Sequence, residues 1–529
     1  MDLAPDVRTA LDAYLGGRPP RADGTAFRRL AGTVWEAGTA LPGSAEAVPA
    51  LIAAFETAGP AHRPHLAVLL GLLAETETET GPGTGPGPGT APGPGPGRQT
   101  DTELTHEAVR RGLPVFLPAL RRSGGDGAAT AALLYLLGHF PADRAAVLDA
   151  AAGLPLDTGD LARLERLLAP PDPADPALGR VWPSPAAWEL SAEERELDRA
   201  WVKGLPAGQV TALWENDTRS LLSYAGAKAL WAAEHGWDGY RPEPGPALPV
   251  APEEERRAAH RTLPSAAKAA ALRCPTCLEE LAFGPEGARC TGCGAAHPWS
   301  GTALDLSCGV GDKTAAMIRN VPLRYDNALR PAFLRLMGEN WAGAVSVADE
   351  DRYLAERVRP ADEDAPVLDL AAGTGRWTSV LAGVVGRDRV IALDLSGAML
   401  ERLSSSLPRL TTVRAGALAL PFADASLSAV NCWNALQAVP DAAAAIAEVG
   451  RCLRPGGTFT LLTFRPAADP LYRYFQTHTQ GVIVFEPDAL RGMLEEAGMA
   501  VRDLSGPGSF LFATAVREDT GVHEKRGAR

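Results

Sequence analysis

Apolar positions over residues 1–170 recur at spacings of three and four, as in HRPHLAVLLGLLAE, THEAVRRGLPVFLPALRR and GAATAALLYLLGHFPADRAAVLDAAAGL. That period lays a wide apolar stripe along each helix, and such a stripe must be covered by a neighbouring helix. No strand-type alternation competes, so 1–170 is predicted to be a domain of helices packed side by side. Helical text continues over 171–240 (SAEERELDRAWVKGL, TRSLLSYAGAKALWAAEHG), where six of the chain's eleven tryptophans lie between Trp182 and Trp237. Tryptophans at helical spacing mostly face inward, which makes this a Trp-rich helical extension; a platform for sugars or bases is the alternative. RPEPGPALPVAPEEE then breaks all periodicity, placing a linker at 241–255. Beyond it the apolar runs shorten to strand length (PVLDL, RVIALDL) and alternate with helical segments, the pattern of an α/β sheet.

The 1–170 pattern resembles a HEAT-type helical repeat array, although no fixed period is clean enough to count repeats, and an ordinary helical bundle is the alternative. Glu75 to Thr100, ETETETGPGTGPGPGTAPGPGPGRQT, lacks large apolar residues, so ordering it would cost entropy without burying surface. It is expected to be a flexible insert (75–100) between two helices of one domain.

At 529 residues the chain is several times the ~150 of a typical domain, which agrees with a multidomain organisation. Subtracting 64 acidic from 51 basic side chains gives a net charge of -13, the wrong sign for a protein whose main partner is a phosphate backbone. Nucleic acid is therefore disfavoured as a partner. Asp2 and Asp6 stand where a signal peptide needs positive charge, and no apolar run approaches the ~18 residues of a membrane span, so a cytoplasmic protein with no membrane partner is expected. The Ala, Gly, Pro and Arg bias with few Lys suggests a high-GC bacterial source.

Four of the seven cysteines cluster: Cys274-Pro-Thr-Cys277 and Cys290-Thr-Gly-Cys293, with twelve residues between the pairs. This is the C-x2-C, hairpin, C-x2-C layout of a zinc ribbon, expected over 270–300. Four thiolates would complete a tetrahedron and leave no open position, so the zinc is expected to be structural. A redox CxxC would not explain the second pair. His297 and Cys308 are spare donors, assigned to local packing.

Pro366 to Gly375, PVLDLAAGTG, is an apolar strand with an acidic end running into a glycine turn before a helix. Twenty-five residues after Asp369, the strand RVIALDLS delivers Asp394. Together they form the ligand-binding edge of a doubly wound sheet, where glycines admit a ligand to the backbone and a carboxylate accepts both ribose hydroxyls. With LPFADASLSAV (Leu420 to Val430), NALQAVPD (Asn434 to Asp441), a helix bearing Glu448 and Arg451, and LRPGG (Leu453 to Gly457) following in order, residues 320–517 resemble a class I S-adenosylmethionine-dependent methyltransferase. A dinucleotide dehydrogenase is disfavoured because Thr378 stands where the third glycine of GxGxxG belongs. Asp305 to Gly311, DLSCGVG, looks like a second cofactor turn, but no β-type run precedes it, and it is read as the exit of the ribbon.

The resemblance implies a Rossmann-like seven-stranded domain, followed by a tail at 518–529. It implies S-adenosylmethionine binding by Asp369, Gly373, Gly375, Asp394, Leu395, Gly416, Ala417, Leu418 and Asn434. Tyr325 and Arg330, on the helix leading into the domain, are expected to form a lid over the cofactor, with plain packing between helices as the alternative. The family usually has Asp where this chain has Gly416, the acceptor for the adenine amino group, and Asp again at Ser428; both departures are expected to weaken cofactor binding. After the fifth strand, PLYRYFQTHTQG offers Tyr472, Tyr474 and His478 to the acceptor region, His478 being the candidate base. The function expected is methyl transfer to a small molecule such as a specialised metabolite. The helical half, without catalytic residues, would shape the acceptor site or bind a protein partner. The alternatives are an rRNA or tRNA methyltransferase and a scaffold that binds cofactor without turnover.

Overall fold

The computed structural model describes residues 3–17, 24–75, 101–124, 127–170, 196, 200, 202–236, 252–254, 262–308, 325–326, 330–338, 340–477 and 483–519. They divide into two compact units, residues 1–242 with 469–480, and residues 243–468 with 481–529. No helix among the described residues is long and apolar enough to cross a membrane.

Among the described residues, the first unit is helical apart from one short antiparallel pair, Trp35–Glu36 with Thr39–Ala40. Its centre is the helix Arg63–Ala74, in which every residue from Pro64 to Ala74 is buried. Ala128–Leu137 packs along it, and the 29-residue helix Ala207–His235 packs on both. The extension expected as a separate segment thus shares the core of 1–170. Charges buried there are paired: Asp160 accepts from Lys228 and Arg163, each at 2.6 Å, and Arg166 meets Asp217 at 2.8 Å. Arg166 also lies over the Trp214 ring, 3.4 Å from its centroid, and Trp231 stacks on His235. Both described tryptophans of the Trp-rich stretch are thereby engaged inside the unit; Trp182, Trp188, Trp201 and Trp237 lie outside the described residues, as does 76–100 of the insert.

A segment distant in sequence completes this unit. The helix Pro470–Thr477 packs on Ala207–His235. Asp469 pairs with Arg28, which also meets Glu234 at 2.5 Å, and the Tyr472 hydroxyl donates to Glu234 at 3.2 Å. Tyr474 meets Trp35 edge-on at 4.9 Å, and Phe475 meets Tyr135 at 5.9 Å. The methyltransferase segment is therefore interrupted, where an unbroken 320–517 was expected, because this helix finds its apolar partners in the helical unit.

The second unit is built on one sheet, with eleven strands among the described residues: β1 (Leu281–Gly284), β2 (Gly287–Cys290), β3 (Ala296–Ser300), β4 (Ala303–Asp305), β5 (Val367–Leu370), β6 (Val390–Asp394), β7 (Thr411–Arg414), β8 (Leu427–Trp433), β9 (Leu453–Phe464), β10 (Met499–Ser505) and β11 (Phe510–Arg517). Their order is β10-β11-β9-β8-β5-β6-β7-β4-β3-β2-β1. The five strands from β9 to β7 run parallel, and β11 is antiparallel to β9. β5, β6 and β8 are buried along almost their whole length, as strands covered on both faces must be.

Two expectations need correction here. The sheet does not stop at seven strands, because the cysteine hairpin continues it. Asp305 does end a strand: β4 is only three residues long, too short for the alternation by which strands are read, yet it pairs in parallel with β7.

Candidate functional site

The parallel strands β5, β6, β7 and β8 bring their carboxyl ends to one edge, where ligands bind in open α/β sheets. Four residues with left-handed backbone gather there: Ala371 (φ 57°), Gly373 (φ 56°), Gly375 (φ 94°) and Asn434 (φ 55°). For alanine and asparagine this conformation is uncommon, and such strain concentrates at functional sites. A Cβ on Gly375 would come within 2.7 Å of Leu403, whereas one on Gly373 would meet nothing within 4 Å. Gly375 thus serves close packing, while Gly373 borders open space.

Asp394, at the end of β6, accepts hydrogen bonds from the backbone N–H of Gly373 at 2.9 Å and of Ser396 at 2.8 Å. Burial raises its pKa above the ordinary carboxylate value, against the pull of these backbone donors. Ser396 also caps the helix Gly397–Ser406, so one turn orients both the carboxylate and the helix start.

Asp369 lies beneath the turn, 2% exposed. Its carboxylate accepts from the Thr378 hydroxyl and, at 2.7 Å, from Asn431 Nδ2, its register neighbour on β8. With both oxygens engaged by side chains, Asp369 props the turn from below. Desolvation raises its pKa to about 6. Thr378, the residue that breaks the dinucleotide fingerprint, is there to bond this carboxylate.

Across the edge, Asn434 Oδ1 accepts from Gln437 at 3.3 Å and its Nδ2 lies 3.5 Å from the Tyr325 hydroxyl. The neighbouring Asp326 accepts from the Thr374 hydroxyl at 2.8 Å, while its other, buried oxygen has no hydrogen-bond partner among the described residues. Tyr325 and Asp326 are therefore brought to the glycine turn. Arg330 is not part of a lid: it is 6% exposed, paired with Glu350 and set over the Trp377 ring at 4.2 Å. Trp433 Nε1 donates to the same Glu350 at 2.7 Å, a buried support that the spacing of these residues in the sequence does not signal.

The loop after β7 carries Gly416, Ala417 and Leu418. A Cβ on Gly416 would meet nothing within 4 Å. The loop's far end is tied down by Glu448, which accepts from Leu420 N–H at 2.8 Å, and by Arg451, which donates to the carbonyls of Leu420 at 3.0 Å and Phe422 at 2.7 Å. Leu395, next to Asp394, accepts from Arg414 through its carbonyl at 3.1 Å.

Ser428 is excluded from the site. It stands at the amino end of β8, where its hydroxyl donates to the Asp362 carbonyl at 2.6 Å and accepts from the Asp362 N–H at 2.9 Å. Its departure from the family residue therefore lies at the end of the strand opposite the glycine turn. Tyr472 and Tyr474 belong to the helical unit, and His478 lies outside the described residues.

At the other end of the sheet the Sγ atoms of Cys274, Cys277, Cys290 and Cys293 all lie within 4.8 Å of one another. Cys274 and Cys293 are 3.7 Å apart, and Cys277 and Cys290 are 3.4 Å apart. His297 Nε2 is 3.6 Å from Cys274 Sγ. A tetrahedron with metal–sulfur bonds of ~2.3 Å has edges of about 3.8 Å, so the donors fit one four-thiolate ion.

Residues 367–457 match the family described as "Methyltransferase domain". The chain is 28% identical over 224 residues to an uncharacterized chloroplastic methyltransferase of Arabidopsis thaliana, a match covering 36% of this chain and 61% of that one. A second such protein of the same plant is 27% identical over 276 residues, covering 46% and 76%. The 2-phytyl-1,4-naphtoquinone methyltransferase of Thermosynechococcus vestitus is 35% identical over 127 residues, covering 23% and 56%. The chain thus spans less than two thirds of the first and third of these relatives. Residues 367–457 thus carry a methyltransferase domain.

Proposed function

We propose that the chain transfers a methyl group from S-adenosylmethionine to a small-molecule acceptor. The observation that carries this reading is the Asp394 carboxylate, oriented by Gly373 N–H beside a glycine that leaves open space before it. Bound at this edge, the cofactor supplies a methyl group on a positively charged sulfonium. Asp394 would accept the ribose hydroxyls, Gly373 would admit the ligand to the backbone, and the Gly416–Leu418 loop would frame the adenine. What the protein has to add is alignment and exclusion of water. The naphthoquinone relative supports a small-molecule acceptor.

The helical unit is proposed to serve acceptor selection or a protein partner; it holds the Tyr472 segment that the family resemblance assigns to the acceptor. The four cysteines are proposed to hold one structural zinc, which would supply cross-linking and no open coordination position. A ribbon beside a methyltransferase domain also favours RNA as a second acceptor class, against the net charge of -13.

Incubating the full chain with methyl-labelled S-adenosylmethionine and separate metabolite and RNA pools tests the assignment. Label in a small molecule supports it, label in RNA moves it to the second class, and no label together with no cofactor binding sinks it.

A further inference from the structure

The cysteine hairpin is tied to the Gly416–Leu418 loop from both sides. On its entry side, Ala271 to Arg273, directly before Cys274, pair with Pro421 to Ala423: Arg273 N–H donates to the Pro421 carbonyl at 2.9 Å, Ala423 N–H donates to the Ala271 carbonyl at 2.9 Å, and Leu272 bridges Phe422. Leu272 and Phe422 are fully buried. On its exit side, β4 pairs with β7, and Leu306 N–H extends the ladder to the Arg414 carbonyl at 2.9 Å. There Asp305 accepts from Arg414 at 2.9 Å, and Arg414 passes on a bond to the Leu395 carbonyl, next to Asp394.

Only the short span Ala415 to Leu420 lies between these two attachments, and it contains the whole proposed adenine frame. The attachments meet in the hairpin. Cys274 ends the entry segment, Cys290 and Cys293 lie at the end of β2 and just beyond it, and β2 pairs with β3, which pairs with β4. A metal held by the four thiolates would join the two ends through bonds far stronger than a thiol–thiol contact.

We propose that the cysteine hairpin is a metal-set clamp on the nucleoside loop, with Asp305 and Arg414 as positioning residues, so that metal loading raises affinity for the cofactor. This deepens the reading above and rests on it and on the proposed metal. An ion that holds both attachments reduces the conformations open to the loop before the ligand arrives, and so lowers the ordering cost of binding.

The test uses the full chain, loaded with zinc or stripped by chelator, with S-adenosylhomocysteine titrated by calorimetry. Metal content is measured in parallel, and hydrogen exchange is followed over 411–423. The expected result is near one zinc in the loaded protein. Stripping should weaken binding about tenfold, within the usual range of coupling between sites, and speed exchange in that segment. Asp305→Asn leaves all four cysteines in place. It should weaken binding about fivefold at unchanged zinc content, while Asp305→Glu, which retains the ion pair, recovers most of the loss. Equal affinity in loaded and stripped protein, or in Asp305→Asn and the parent chain, overturns the clamp. Absence of binding in the zinc-loaded parent overturns the cofactor reading instead, and absence of zinc overturns the metal reading.

Discussion

The backbone N–H of Gly373 donates to the Asp394 carboxylate across 2.9 Å, joining the glycine turn after β5 to the end of β6. One carboxylate therefore shapes the turn and, on the proposed reading, would also accept the ribose hydroxyls. Asp394→Ala is expected to weaken S-adenosylhomocysteine binding at least tenfold, because it removes charge-assisted hydrogen bonds to the ligand and frees the turn. Unchanged affinity by calorimetry would place the pocket elsewhere.

Gly416→Asp is expected to tighten binding. Space is open around a Cβ at this position, so the substitution meets no steric obstacle. A regained hydrogen bond to the adenine amino group is worth at most about tenfold in affinity. Weaker binding in this variant would show that the adenine lies away from the loop.

Asp369 gives the fold a distinctive pH response. Desolvation raises its pKa from 3.8 to about 6, so between those values the folded chain holds a proton that the unfolded chain has released. The resulting stability is fully present below 3.8 and is lost as pH rises through about 6. Asp369→Asn removes the response. The melting temperature of the parent chain, measured against this variant, should therefore climb as pH is lowered from neutrality through that window, and a constant difference would contradict the assignment.

In the helical unit, a Cβ on Gly226 would lie 2.3 Å from Phe475 and 3.0 Å from Tyr135. Gly226→Ala should therefore destabilise this unit by about 1–3 kcal/mol through overpacking. Denaturant unfolding followed by fluorescence checks it; a neutral effect would mean that the Pro470–Thr477 helix is only loosely held.

The glycine turn, Asp394 and the four cysteines were legible in the sequence because each is a local pattern at short spacing. In the sequence Thr378 shows only as a missing glycine, since its bond to Asp369 appears once the turn is folded. The position of Ser428 at the amino end of β8 is not legible in the motif, which orders residues along a strand without saying which end faces a ligand. The helical character of the first 170 residues was plain. A repeat is not plain: the helix Arg63–Ala74, expected from its spacing to carry one apolar stripe, is buried on every face, so its apolar run gives no period to count. The attachment of the hairpin to the sheet was hidden for a different reason, since it rests on backbone pairing by segments of three residues.

The Pro470–Thr477 helix also constrains the order of events during synthesis. The helical unit leaves the ribosome first, yet the helix that packs on Ala207–His235 is translated more than 200 residues later. At ~5–20 residues per second, the gap is on the order of 10 to 50 seconds. Throughout it, the surface destined for Tyr474 and Phe475 stays uncovered on the nascent chain. The helical unit is therefore expected to expose this apolar surface until residues 470–477 have been made.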